Sequence, residues 1–332
     1  MNHLLPDIMR MLCIIGLGFA VAGGLSHHLP LHPIEIFAHF QPWVMTLTLA
    51  LALVAVLRQF AWLALALTTA GIYHLLFMLP YLSFDALQRQ QPDSGSLPTL
   101  RVLQFNINAD NAHYDAVAAA IEAADADVMI ICEATVHVLD RLEHLHEQYP
   151  HRIEAARWPR QSILGVSGTV LWSRFPFSDS ETLELAQGNI QICRATAMVH
   201  GTSLRVYAAH LLAPRSDTQI LQRNQGMHEL AQLIASDPVP NTLLIGDLNQ
   251  SVWAPPTRKL LQSTQMSSIL QGHMFLTTWP SSTYPFGIAI DHMFYRGVLS
   301  HRAVNSLPGR GSDHRMLVAE FSINTALPHP SP

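Results

Sequence analysis

Charge is what this sequence has least of. Asp, Glu, Lys and Arg make up 13% of its 332 residues, against about 25% in ordinary globular domains. Lysine is all but missing, with Lys259 the single example, and the balance of 19 Lys+Arg to 24 Asp+Glu leaves a net charge of −5. No basic run is present to line a long nucleic-acid groove. Cysteine is scarce too: Cys13, Cys132 and Cys193 are an odd number at wide spacing. That excludes a disulfide framework and a zinc motif and leaves buried free thiols. Internal repeats are also lacking.

The missing charge is concentrated in one part of the chain. No Asp, Glu, Lys or Arg occurs from Ile36 to Leu57 or from Gln59 to Phe84. Each run has the length of a bilayer crossing, about 20 apolar residues. A weaker apolar run spans Met11 to Leu25. Two further apolar runs follow it, so it reads as a retained anchor and not as a cleaved signal peptide. The expectation is three transmembrane helices, near 9–29, 37–57 and 60–82. Arg10 precedes the first and Arg58 lies between the second and third, while residues 26–41 hold no Lys or Arg. By the positive-inside rule the N-terminus and the Arg58 turn are cytoplasmic, and everything after Leu82 lies outside the cytoplasm. His74, inside the third span, is expected to be a neutral imidazole bonded to a neighbouring helix.

Residues 83–98 are polar and rich in Pro, Ser and Gly, as in a linker. Residues 99–323 then read as one catalytic-sized domain, with 324–332 a tail. Strand patterns occur at 100–106, 128–132, 169–172, 190–199, 204–209, 243–245, 288–294 and 317–321, and helical patterns at 114–124 and 217–235. Strands with interleaved helices and adjacent antiparallel runs indicate a layered α/β domain.

Apolar runs in this domain repeatedly end in a polar residue that a core would not select. Asn106 follows Phe105, Glu133 follows Cys132, His210 follows Ala209, Asp247 follows Gly246, and Asp291 follows Ile290. Gly311-Ser312 leads into Asp313-His314 ahead of another strand. Any one of these is a turn or a cap. Six of them, all Asp, Glu, Asn or His, indicate groups converging at one sheet edge. The most informative is Gly246-Asp247-Leu248-Asn249. Strand alternation is expected to send Asp247 and Asn249 to the same side, with Leu248 turned into the core.

In this order, Asn106, Glu133, His210-Leu211-Leu212-Ala213-Pro214, Gly246-Asp247-Leu248-Asn249, Ile290-Asp291-His292 and Ser312-Asp313-His314 resemble the endonuclease/exonuclease/phosphatase superfamily. The apolar N-terminal runs, with Thr278-Trp279-Pro280 ahead of Asp291, resemble its membrane-anchored bacterial branch of teicoplanin-resistance-type phosphatases. The resemblance covers about residues 99–323. It implies a four-layered α/β sandwich of deoxyribonuclease I type, preceded here by three transmembrane helices. It implies a divalent metal, Mg²⁺ or Mn²⁺, with Glu133 as the main ligand and Asn106 and Asp313 nearby. His314 is then the general base, Asp291 its orienting partner, His210 and Asn249 donors to phosphoryl oxygens, and Asp247 a group that positions the nucleophile or transfers protons. Where the family often has Gln before the ligating Glu, this chain has Cys132, whose side chain is expected to face away from Glu133.

The leading expectation is a phosphohydrolase acting on a lipid-linked phosphate or diphosphate at the outer face of a bacterial inner membrane. Its partners are a phosphate-containing substrate and the bilayer. The apolar, aromatic segment from Gly272 to Phe286 either contacts acyl chains or packs in the core. Two other readings stay open: a nuclease or nucleotide phosphodiesterase, which the sparse basic residues disfavour, and a non-catalytic lipid-binding scaffold.

Overall fold

A computed structural model describes residues 4–28, 35–82, 97–156 and 168–324. Most of the linker and nearly all of the tail fall outside the described residues. The chain forms two compact units, one of residues 1–83 with 251–258 and one of residues 84–250 with 259–332.

The first unit is helical: α1 (Leu4–Ser26), α2 (Glu35–His39), α3 (Gln41–Leu57) and α4 (Ala61–Met78). Small residues let its helices approach. A Cβ on Gly16 would lie 2.0 Å from Leu51 Cδ1, and one on Gly71 would lie 2.5 Å from Leu49 Cδ2, the kind of contact that joins helices where no hydrophobic drive exists. Two buried polar side chains, Gln41 and His74, reach backbone carbonyls. Gln41 Nε2 donates to Gly23 O at 3.0 Å and to Phe37 O at 3.1 Å. His74 Nε2 lies 3.0 Å from Ala20 O on α1, the interhelical bond expected of it. Among the described residues, two stretches are long and apolar enough to cross a membrane, Leu5–Ser26 and Ala61–Tyr81. The middle span expected at 37–57 is shorter than its lack of charge suggested. α2 ends at His39, and Pro42, which has no N–H to give, fixes the start of α3. The resulting 17-residue helix is about 25 Å long at 1.5 Å per residue, against a hydrocarbon core of about 30 Å.

The second unit is a sandwich of two six-stranded sheets. Strands β1 (Thr99–Asn106), β2 (Val128–Ala134), β3 (His151–Ala156), β4 (Gly168–Ser173), β11 (Leu299–Leu307) and β12 (Met316–Ile323) form one, in the order β11-β12-β1-β2-β4-β3. Strands β5 (Phe177–Leu185), β6 (Ile190–Val199), β7 (Thr202–His210), β8 (Thr242–Asp247), β9 (Ser267–Ser268) and β10 (Asp291–Arg296) form the other, in the order β5-β6-β7-β8-β10-β9. Leu100, Val102, Ile130 and Leu171 from the first sheet pack on Val206, Ala208, Ile245 and Met293 from the second. Helix α5 (Tyr114–Ala124) covers the other face of the first sheet through Val117 and Ile121. Helix α7 (Asp217–Ser236) lies on the second sheet, close enough that a Cβ on Gly226 would meet Ile190 Cδ1 at 2.6 Å. Between these two helices in the chain runs the short α6 (Val136–Arg141).

The strands and helices expected from periodicity are present, and the strands not anticipated are at sheet margins. β3, β5, β9 and β11 are all outermost. β5 is exposed along most of its length, so no apolar alternation marks it. One expected strand is displaced. Residues 288–290 do not extend β10, because Ile288 N–H and O pair instead with Trp279.

Candidate active site

Strand direction gathers the expected residues. β1 and β2 run parallel, and so do β7 and β8, so their C-terminal ends carry Asn106, Glu133, His210 and Asp247. β10 runs antiparallel to β8, and β12 antiparallel to β1, so their beginnings reach the same edges. Asp291 opens β10, and Asp313 and His314 lie just ahead of β12. Hydrogen bonds then join the two edges across the sandwich.

Asp247 is the centre of that junction, 1% exposed. Its Oδ2 accepts from Asn106 Nδ2 at 2.9 Å and lies 3.5 Å from His210 Nε2 and 3.7 Å from His314 Nε2. Its Oδ1 accepts the backbone N–H of Asn249 at 2.8 Å. β8 ends at Asp247, so alternation does not place Asn249. The chain turns instead, with Asn249 at φ +50°, a conformation Asn tolerates. Its side-chain amide donates to Leu211 O at 2.9 Å. Gly246 is required just before: a Cβ there would lie 1.7 Å from Ala209 O.

Glu133 reaches the site through a bulge. The β2–β4 register shifts between Ile131 and Ala134, and Glu133 takes φ +57°, an unfavourable conformation for a long side chain. Such a bulge re-aims one side chain. Glu133 Oε2 accepts the Ala109 N–H at 2.9 Å, and Oε1 lies 3.4 Å from Asn106 Nδ2 and 3.8 Å from His210 Nε2. Cys132 packs into the inter-sheet core, facing away as expected.

Asp291 and His314 form a buried pair, with Oδ2 to Nδ1 at 2.8 Å. Two residues outside the expected site set hold Asp291. Gln104 Nε2 donates to its Oδ1 at 2.7 Å. Thr278 Oγ1 accepts the backbone N–H groups of Ile290 and Asp291 at 3.2 and 3.3 Å. A signal for Gln104 was present: it stands two residues before Asn106, on the same face of a strand that is otherwise buried and apolar.

Asp313 sits at the rim and is exposed. Trp279 Nε1 donates to its Oδ2 at 3.0 Å and Asn108 Nδ2 to its Oδ1 at 2.9 Å. The Trp279 segment is laced to this turn by the backbone. Ser281 N–H donates to Asp313 O at 2.7 Å, and Arg315 N–H to Thr278 O at 2.8 Å. Trp279 is therefore neither free for a lipid nor simple core. Tyr284 and Phe286, farther along, are 52% and 67% exposed.

Burial and crowding set the electrostatics. Burial raises the Asp247 carboxyl above its ordinary range, and neighbouring Asp291 raises it further. For Asp291 burial acts in the same sense, but His314 and the hydrogen bonds from Thr278 and Gln104 outweigh it and hold the carboxylate low. Burial opposes charge on His314, yet Asp291 and Asp247 prevail and push the imidazole up to about 10. This concentration of hard oxygen donors fits a divalent cation of the Mg²⁺ type. Asp247, Asp291 and His314 offer ligand atoms within 4.8 Å of one another; of the three expected ligands, Asn106 turns its Nδ2 to Asp247 while its Oδ1 accepts the Asn108 N–H at 3.0 Å, and Asp313 stands at the rim. No thiolate joins them, since Cys132 faces the core.

A two-sheet sandwich with an Asp–His pair, acidic oxygens and carboxamides at one edge is the architecture of metal-dependent phosphoester hydrolases. The chain belongs to the Endonuclease/Exonuclease/phosphatase family, whose model matches residues 103–314, and it is an enzyme of that class. Its fold is shared with the human nocturnin catalytic domain with bound sulfate (TM-score 0.57, 21% identity, 71% of this chain and 98% of that one). It is shared also with an endonuclease/exonuclease/phosphatase from Beutenbergia cavernae (0.56, 17%, 68% and 72%). Sphingomyelinase C from Streptomyces griseocarneus is a third (0.51, 16%, 68% and 100%). No curated protein matches the chain in sequence.

Proposed function

We propose that this protein is a membrane-anchored phosphohydrolase that cleaves a lipid-linked phosphoester or diphosphate with Mg²⁺ or Mn²⁺. In this reading, residues 1–82 anchor a catalytic domain of residues 99–323 through the 83–98 linker. The domain works at the outer face of a bacterial inner membrane, as in the teicoplanin-resistance-type branch. The observation that carries the reading is the His314–Asp291 pair facing Asp247, Asn106 and Glu133, in a chain whose helices α1 and α4 expose large apolar side chains. Leu65 is 72% exposed and Met11 54%, a surface that suits acyl chains better than water.

The reaction is attack of a water oxygen on phosphorus with departure of the oxygen opposite. Asp291 holds Nδ1 of His314, so Nε2 is the atom that faces the site and takes the water proton. Asp247, hydrogen-bonded to Asn106 and to the Asn249 backbone, orients the water or passes its proton on. His210 and the second N–H of the Asn249 amide donate to phosphoryl oxygens as charge builds there. Glu133, with Asn106 and Asp313 nearby, would hold a divalent ion, which would neutralise charge at the phosphoryl group and offset the carboxylate field that keeps His314 protonated.

The test is phosphate release by the full chain in detergent from polyprenyl diphosphate and phosphatidic acid, with plasmid nicking in parallel. Expected is lipid turnover that requires Mg²⁺ or Mn²⁺ and disappears in His314→Ala. Nicking that depends on His314 without lipid turnover assigns the protein to the nucleases instead. Recovery of the chain in the carbonate-soluble fraction of cell extracts would remove the membrane anchor from the reading.

A further inference from the structure

Next to the catalytic cluster, on the outer side of Asp313, lies a cavity of about 450 Å³ lined by Asn108, Ser281, Ser282, Arg310, Asp313 and Arg315. Hydroxyl and amide groups and two guanidinium-bearing side chains line it, together with Pro308, Gly309 and Gly311. In a chain with so few cations, two arginines at one small cavity are a concentration of positive charge.

The two arginines differ in how they are held. Arg315 is fixed: Nε donates to Ser306 Oγ at 2.8 Å and Nη2 to Ser306 O at 2.7 Å, and its guanidinium lies 3.7 Å from the Tyr284 ring centroid. Arg310 is exposed, and its side chain has no hydrogen bond or ion pair among the described residues. It stands at φ +51° beside Gly311 at φ +95°, in the tight turn that delivers Ser312-Asp313-His314. Gly311 is packed closely enough that a Cβ would lie 2.5 Å from His113 Cδ2. The turn therefore cannot shift freely, and Arg310 is presented from a fixed point three residues before Asp313. Asp313 has both oxygens occupied, by Trp279 and Asn108, so its charge is partly spent inside the rim.

We infer that this cavity is an anionic subsite that takes the second phosphate of a diphosphate substrate while the first is attacked at the Asp247–His314 cluster. The inference rests on the phosphohydrolase reading of that cluster. A guanidinium matches phosphate oxygens in a forked geometry, Ser282 adds a hydroxyl donor, and Asp313 joins the subsite to the cluster. The cavity has room for a phosphate and the start of the chain it carries, whereas a nucleic acid needs a track of cations. Tyr284, stacked on Arg315, and exposed Phe286 give the prenyl chain of such a substrate an apolar start.

The experiment has two arms, both on the full chain in detergent with Mg²⁺. Calorimetric binding of inorganic pyrophosphate and inorganic phosphate is measured for the natural protein, Arg310→Gln and Arg310→Lys. Expected is tighter binding of pyrophosphate, about a tenfold loss of that preference in Arg310→Gln, as for one charge-assisted bond, and partial return in Arg310→Lys. Equal binding of the two anions by the natural protein, or an unchanged preference in Arg310→Gln, overturns the subsite. In the second arm the ratio of kcat/KM for polyprenyl diphosphate over polyprenyl monophosphate falls about tenfold in Arg310→Gln, with the loss in KM. An Arg310-dependent pyrophosphate preference without any lipid turnover keeps the subsite and rejects the lipid reading. Arg310-dependent displacement of pyrophosphate by a single-stranded oligonucleotide, with turnover of that oligonucleotide, overturns the diphosphate assignment in favour of nucleic acid.

Discussion

Asp247 shows how one side chain does two jobs. Its Oδ1 closes a turn with Asn249 and its Oδ2 gathers Asn106, His210 and His314. The turn preference of Asp and Asn and their place in a polar cluster are thus the same fact seen twice. The Asp291–His314 bond makes a sharp prediction. Asp291→Asn keeps the shape but removes the charge that fixes the imidazole, so kcat falls on the order of 10²–10⁴-fold, and the unfolding midpoint falls too, because the buried His314 loses its charged partner. Phosphate-release kinetics beside a denaturant titration check both halves. Glu133→Gln acts differently. Its carboxylate is aimed by an unfavourable φ, and the amide loses a ligand charge, so activity falls chiefly through weaker metal binding. Raising Mg²⁺ or Mn²⁺ well above the natural requirement restores part of the rate. A rate that is flat across all metal concentrations would remove Glu133 from the ligand set.

At the level of elements, the site depends on a segment that is neither strand nor helix. Residues 278–281 are sewn to 312–315 and to 288–291 by backbone bonds, and Thr278 is the common member. Thr278→Val keeps the volume but removes the hydroxyl that accepts two buried N–H groups. Leaving them unsatisfied costs about 1–3 kcal/mol, read as a lower urea midpoint. Because one of the two belongs to Asp291, kcat falls as well, with KM less affected. A Thr278→Ser variant, which retains the oxygen, recovers both. The Asn106, Glu133, His210, Asp247, Asp291 and His314 positions were all legible as polar interruptions of apolar runs. Gln104 left only the faint signal of its place two residues before Asn106, and the roles of Thr278 and Asn108 left none, because each acts through another group that only the fold brings near. Edge strands such as β5 were illegible for a related reason: a strand wet on both faces has no alternation to read.

For the whole molecule, acid sensitivity follows from a histidine that the chemistry does not use. His292 is buried, bonded through Nε2 to Gln250 O at 2.7 Å. Burial lowers it to about 4, with the bond to Gln250 opposing the shift. The unfolded chain, with an ordinary value of 6.5, binds this proton first as pH falls. The stability that neutral His292 contributes is therefore full above pH 6.5 and is lost from there toward about 4, below which both states carry the proton. Urea titrations at a series of pH values should show this slope, reduced by up to one proton in His292→Gln. A slope unchanged by that substitution would place the proton uptake elsewhere.

The sequence alone determined that the chain has a charge-poor helical part and a separate α/β domain, and it determined most of the residues at the reactive edge. Those properties are local: a missing charge, an alternation, a polar residue at a strand end. Only the tertiary structure decided that a bulge turns Glu133 into the site, that Asp247 gathers Asn106, His210 and His314, and that Gln104 reaches Asp291. These depend on backbone direction and on contacts between residues far apart in the chain, which no window of sequence contains.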